Sequence, residues 1–371
     1  MITSLLLFFF IFVYGFFILR LAFGISKIPY FSTQYKTPET TFSIVVPFRN
    51  EAKVLPELLE SLSALNYPPD LFEIILVDDE SEDGFEIKNQ EQNIHVLKNN
   101  RKSNSPKKDA IETAIQHSKF SWIVTTDADC IVPANWLNTL DAFIRENNVE
   151  MVVGAVIYRT ENDFLQHFQL LEMMSLQGAT IGSFGINQPF LCNGANFAYS
   201  KSLFKSLHGF EDSNQIASGD DVFLLQKTLN AKAYGLSKIG YLKNHDFLVF
   251  TQPCFSLQAL IQQRIRWASK ATAYKTFFSK SIALAVLLGN LAVVLGFTLS
   301  LFAWMPFWDF YILFALKIVF DFVLLYQTGK FIQPQQIRYY LLSTLFYPFF
   351  SVGIALRSFG GTYQWKNRKL A

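Results

Sequence analysis

Apolar residues fall into two patterns along this chain: long uncharged runs near both ends, and short runs alternating with amphipathic stretches between them. Ile2 to Leu19 is an 18-residue run without a charge, close to the roughly 20 residues that cross a bilayer. Ile282 to Trp304 is a second such run, Phe307 to Tyr326 a third, and Tyr339 to Leu356 a fourth that carries Pro348 and ends at Arg357. Between Thr41 and about Phe278 the pattern changes. Ser43-Ile44-Val45-Val46-Pro47 is a buried-strand pattern, and from Glu51 to Leu65 leucines at 55, 58, 59, 62 and 65 keep helical spacing. Further strands are expected at Glu73 to Val77, Trp122 to Thr126 and Met151 to Val156, with a helix at Lys108 to His117. This alternation predicts an α/β domain with a mainly parallel, doubly wound sheet, which binds ligands beyond the carboxyl ends of its strands. The expected organisation is an amino-terminal transmembrane anchor at 1–24, a catalytic domain with an interfacial helix at 40–280, a carboxyl-terminal transmembrane region of about three helices at 281–357, and a basic tail at 358–371.

No Lys or Arg precedes the first run and no small-x-small site follows it, so it reads as an anchor rather than a cleaved signal. Lys317 and Asp321 lie four apart in the third run and read as a structural ion pair. Arg20, Lys27 and Lys36 after the first run, with Lys330 and Arg338 after the third, orient those regions to the cytoplasm. A fourth crossing would then carry Lys366, Arg368 and Lys369 outward against the same rule, so that segment is either re-entrant or interfacial around Pro348, or carries its tail across. A multi-pass protein of the cell (inner) membrane with a cytoplasmic catalytic domain is expected. Composition agrees: 51% of the 371 residues are hydrophobic, 39 of them Phe, yet the middle is ordinary soluble protein. A net charge of +2 without a basic run interleaved with aromatics gives no case for nucleic acid. Cys130, Cys192 and Cys254 are too scattered for a zinc site or a disulfide framework.

Candidate chemistry is acidic. Asp127-Ala128-Asp129 follows the predicted strand at Trp122; alternate strand residues share a face, so both carboxylates would project together. Mg2+ or Mn2+ favours such carboxylates with substrate phosphate oxygens. Asp78-Asp79 closes another strand, Asp220-Asp221 forms an acidic pair, and Gln263, Arg266 and Trp267 recur at spacings that put them on one helix face. Bland readings stand beside each: an acidic turn, a helix amino terminus favoured by its dipole, and an interfacial helix before the second run. A single His245 is more often structural than a ligand.

In this order the motifs resemble glycosyltransferase family 2, inverting sugar-nucleotide transferases with a GT-A fold, over roughly residues 42 to 270, in its membrane-bound subgroup with Gln-x-x-Arg-Trp. The resemblance implies that the opening strand and loop, with Pro47, Arg49 and Glu51, cradle the nucleoside, and that Asp79 accepts from a uracil ring. It implies that Lys107, in a segment where Pro106 replaces a common Gly, lies near the diphosphate. Asp127 would orient the ribose or donor sugar, Asp129 would hold the metal, and His245 would be a third ligand. Cys192 to Tyr199, with Asn196, is similar to the acceptor-side strand. Asp221 would be the general base beside Asp220, which replaces the commoner Glu; a neighbouring like charge raises a carboxylate's pKa and improves it as a base. Gln263, Arg266 and Trp267 would meet the acceptor and diphosphate. The expected reaction is metal-dependent transfer from a nucleotide-sugar donor, a UDP-sugar, to a lipid or lipid-linked acceptor. Rivals are a processive polysaccharide synthase, a nucleotidyltransferase, and a non-catalytic nucleotide-binding membrane scaffold.

Overall fold

A computed structural model describes residues 2–32, 37–84, 93–161, 163–211, 219–231, 234–269, 276–332 and 339–358, with short backbone stretches at 363–365 and 368–370. Lys36, Arg338 and Lys366, singled out above, lie outside them. The chain divides into two compact units: residues 1–28, 160–190 and 253–365 form a helical unit, and residues 29–159, 191–252 and 366–371 a sheet unit.

The sheet unit begins with β1 (Phe42–Phe48), α2 (Leu55–Ser63), β2 (Phe72–Asp78) and β3 (Ile94–Lys98). It continues through α3 (Pro106–His117), β4 (Trp122–Thr125), β5 (Cys130–Ile131), α4 (Trp136–Asn147), β6 (Met151–Gly154) and β7 (Val156–Tyr158). After the helical excursion come β8 (Phe197–Ser200), α6 (Lys201–Ser206), α7 (Asp220–Asn230), β9 (Ile239–Leu242) and β10 (Val249–Thr251). Among the described residues seven strands form one sheet in the order β3-β2-β1-β4-β8-β6-β9, parallel except where β8 runs against β4 and β6. The central strands are buried on both faces, which is why they read as unbroken apolar runs. Pro47 lies past the last β1–β4 pair, where its missing N–H costs no bond on that side.

The single strand expected at Met151 to Val156 divides at Ala155, where the chain leaves the large sheet and enters a three-stranded one ordered β5-β10-β7. Asn196 holds this junction. Its amide donates to the carbonyls of Ala155 at 2.9 Å and Phe247 at 2.6 Å, and its oxygen accepts from Trp136 Nε1 at 3.1 Å. Asn196, expected on the acceptor-side strand, has no solvent exposure, and its polar atoms are committed inside the fold. A Cβ at Gly154 would overlap the same amide. Asn196→Ala strands two buried carbonyls and an indole N–H, and should cost about 2–3 kcal/mol, read as a lowered melting temperature of the purified protein; an unchanged melting curve would contradict this role.

The helical unit contains α1 (Ile2–Ile25), α5 (Phe164–Gly185), α8 (Leu257–Ser269), α9 (Phe277–Leu301), α10 (Phe307–Gly329) and α11 (Tyr340–Ser358). Among the described residues three helices are long and apolar enough to cross a membrane: α1, α9 and α11. The expectation of three carboxyl-terminal spans is thus reduced to two. The third run does form α10, but Asp309, Lys317 and Asp321 lie in it, and Lys317 Nζ binds Asp321 Oδ2 at 2.5 Å. Pro348 lies inside α11 without ending it, so no re-entrant break occurs there. Helix α5 was not anticipated as part of a helical bundle, because it falls within the 40–280 stretch. It meets α1 backbone to backbone: a Cβ on Gly182 would overlap Leu21 O, and one on Gly185 would overlap Gly24 O. Small residues permit such an approach.

Candidate active site

The carboxyl ends of β1, β2 and β4 build one edge of the sheet unit. Past β1, Arg49 is 6% exposed and donates through Nη1 to the carbonyls of Asp79 at 2.6 Å and Glu80 at 2.5 Å, with Nη2 at 3.2 Å from Glu82 Oε1. Arg49, expected to touch the nucleoside, therefore braces the loop that carries Asp79. Asn50 reinforces it, donating its N–H to Ser81 Oγ and accepting from Glu82 N–H through Oδ1. Asn50 and Glu80 both adopt left-handed backbone, at φ 53° and 60°; for Glu80 this is a strained conformation, held by the surrounding bonds. Glu51 opens the turn into α2, its carbonyl accepting from Val54 and Leu55.

Asp79 is buried and accepts from Asn99 Nδ2 at 2.7 Å, with Arg101 Nε at 3.6 Å. Neither partner was singled out in the sequence. Asp109 organises the loop before α3, accepting from the N–H groups of Lys102 and Ser103 and from the Ser103 hydroxyl. Pro106, the departure from the expected Gly, starts α3, where a missing N–H costs nothing and the fixed φ suits the helix.

Strand β4 stops at Thr125, so Asp127 and Asp129 are not alternate residues of a strand as expected. They occupy a turn closed by Cys130 N–H donating to Asp127 O at 3.1 Å. Burial, with Asp129 and Asp127 close by, pushes the Cys130 thiol above its usual pKa, keeping it protonated. Lys107, in the first turn of α3, reaches Asp127 Oδ1 at 2.6 Å and lies 3.8 Å from Asp220 Oδ2. Burial alone would lower its pKa, but Asp127, Asp220 and Asp221 outweigh that and hold the ammonium above the usual lysine range. One cation thus joins the two acidic motifs, which lie far apart in sequence.

Asp220 and Asp221 open α7, so the helix-dipole reading and the chemical one apply to the same residues. Asp221 is oriented by two backbone donors, Gly194 N–H at 2.9 Å from Oδ2 and its neighbour Val222 N–H at 2.7 Å from Oδ1; these fix the direction of its carboxylate. Thr125 Oγ1 donates to Gly194 O at 2.6 Å, registering this loop on the end of β4. Gly194 packs closely here: a Cβ would stand 3.0 Å from Asp220 Oδ2, tight enough that the carboxylate would have to shift, and 3.5 Å from Lys107 Nζ. Lys108, fully buried beneath, lies 4.9 Å from the Phe223 ring centre and ties α3 to α7.

Residues 43–207 match the family model described as Glycosyl transferase family 2. The chain contains a family 2 glycosyltransferase domain. Glycosyltransferase AglE of Haloferax volcanii is 28% identical over 51% of this chain and 61% of its own length. Glycosyltransferase GlyG of Streptococcus pneumoniae is 32% identical over 33% of this chain and 40% of its own. The chain therefore spans about two fifths to three fifths of these relatives. Among solved structures, mannosyltransferase PcManGT of Pyrobaculum calidifontis, in complex with GDP-Man and Mn2+, superposes with a TM-score of 0.58 at 16% identity, over 95% of this chain and 98% of that one. The family 2 domain thus has a GT-A-like mixed α/β fold around a mainly parallel sheet.

Within the sheet unit the predicted acids Asp127, Asp220 and Asp221 come together with Lys107, whereas among the described residues His245 joins no ligand set. Among the described residues no group of three His, Cys, Asp or Glu side chains is arranged to hold a metal; His245 is exposed, its ring edge-on to Tyr30 with centres 5.5 Å apart. The Asp127–Asp129 turn fits Mg2+ or Mn2+ on donor chemistry, as hard oxygens for an ion that draws its remaining ligands from water and phosphate. Gln263, Arg266 and Trp267 lie on α8 in the helical unit.

Proposed function

We propose that the chain is an inverting, metal-dependent transferase that moves a sugar from a nucleotide-sugar, a UDP-sugar, to a lipid or lipid-linked acceptor at a membrane surface. The observation that carries this reading is Lys107, held between the Asp127–Asp129 turn and the Asp220–Asp221 pair. A scaffold that only bound nucleotide would need no acidic pair oriented by backbone donors beside that cation.

In this reading Asp79 receives the imide N–H of uracil and Asp127 orients the donor ribose or sugar. Asp129, with Asp127, would hold Mg2+ or Mn2+, which when bound offsets the charge of the departing diphosphate. Lys107 adds a fixed positive charge beside the same group. Asp221 takes the proton from the acceptor hydroxyl as that oxygen attacks the anomeric carbon from the face opposite the nucleotide. One displacement inverts the centre. The lipid acceptor is supported by chain anatomy: α8, with Gln263, Arg266 and Trp267, directly precedes the apolar helix α9, and α1 and α11 are likewise apolar enough to cross a bilayer. These features also support a multi-pass inner-membrane location with the sheet unit in the cytoplasm.

Detergent-purified protein should release nucleotide from one donor in a panel of UDP-sugars, given Mg2+ or Mn2+ and crude membrane lipid, and yield a lipid heavier by one sugar. GDP-mannose belongs in the panel because PcManGT was solved with GDP-Man; release of GDP alone would replace the uridine assignment. A ladder of product masses would indicate a polymer synthase. Pyrophosphate release would indicate a nucleotidyltransferase.

A further inference from the structure

The Gln-x-x-Arg-Trp run contains a second arginine, Arg264, which the motif treats as a spacer. Its side chain is 3% exposed, and three neighbours share it. Nε and Nη2 each stand 2.8 Å from Glu172 Oε2 on α5. Nη1 donates to Gln263 Oε1. The guanidinium carbon lies 4.2 Å from the centre of the Trp267 ring. The two outer motif side chains are therefore both fastened to the residue between them. Helix α5, which supplies the anchoring carboxylate, is fixed in turn by its glycine-lined crossing with α1. Arg266 is half-buried.

We infer that Arg264 is a positioning residue: clamped by Glu172, it sets the directions in which Gln263 and Trp267 point, and so determines the acceptor end of the reaction through them. This rests on the assignment of α8 to the acceptor and diphosphate. The chemistry suits the role. A planar guanidinium can stack on an indole and donate in its own plane at the same time, and a buried charge needs the partner that Glu172 provides. Lysine keeps the charge but cannot do both.

The test uses the full-length chain in detergent, with Arg264→Lys, Glu172→Gln, Trp267→Phe and the double variant Arg264→Lys/Trp267→Phe. Nucleotide release with crude membrane lipid should fall about tenfold in Arg264→Lys and in Trp267→Phe, and the double variant should be no worse than either, because one residue acts through the other. Multiplying effects in the double variant, or wild-type turnover in Arg264→Lys, would overturn the inference. A readout independent of turnover is acrylamide quenching of the Trp267 emission, isolated as the difference between proteins with and without that tryptophan. Quenching should rise in Arg264→Lys and in Glu172→Gln, and unchanged quenching in both overturns the inference whether or not the chain transfers sugar. If Arg264→Lys does not fold, Glu172→Gln carries the same comparison.

Discussion

Asp221→Asn should reduce sugar transfer by about 10^3-fold or more while leaving binding of UDP with Mn2+ within a few-fold of wild type. The substitution is nearly isosteric, so one oxygen can still accept Gly194 N–H, as Asp221 does at 2.9 Å, although the bond from Val222 N–H to the other oxygen is lost. The capacity to take a proton disappears with it. An amide cannot serve as a general base near neutrality, and a loss of that size corresponds to about 4 kcal/mol of transition-state stabilisation. The measurement is nucleotide release with lipid acceptor, paired with calorimetric titration of UDP and Mn2+. Substantial turnover in Asp221→Asn would remove the residue as the base; loss of nucleotide binding together with turnover would make it a structural carboxylate of the Gly194 loop.

Lys107→Met should have the next largest effect, about 10^2-fold in turnover with a weakened donor interaction. The methionine fills similar space, so the change isolates charge. Lys107 is tied to Asp127 at 2.6 Å and faces Asp220 at 3.8 Å; without it, carboxylates from two motifs confront one another with no intervening cation. A positioned cation beside a leaving diphosphate contributes several kcal/mol when it is preorganised. Donor KM and kcat, measured at saturating Mn2+, should both worsen; a change in KM alone would mean that Lys107 only binds the donor.

Much of the sheet unit could be read from periodicity. The unbroken apolar runs of β1 and β2 encode strands buried on both faces, and the leucines of α2 encode its packed side. The division at Ala155 was not legible, because Gly154-Ala155-Val156 continues the apolar run and the exchange of sheets depends on Asn196, 41 residues later in the chain. Helix α5 was missed for a related reason: its residues mix glycines with polar side chains, and only their close approach to α1 shows what the glycines are for. At the site, the acids were identifiable from their motifs, but the link between them was not. Lys107 and Asp220 are separated by more than a hundred residues, and their meeting is set by the loop at Gly194 and by α3 lying against α7. Arg49 and Asn196 illustrate the converse. Each is a residue type that binds ligands, in a segment that resembles a ligand-binding one, yet burial and partner count commit both to holding loops in place.

The account requires a single displacement at the anomeric carbon, and the configuration of the product tests that most directly. With an α-linked nucleotide-sugar as donor, proton NMR of the isolated product should show a β-linked sugar, through the large coupling between the first two ring protons of a gluco-configured residue. An α-linked product would contradict the account, since retention requires a second displacement or a different route, and would leave Asp221 without the role assigned to it.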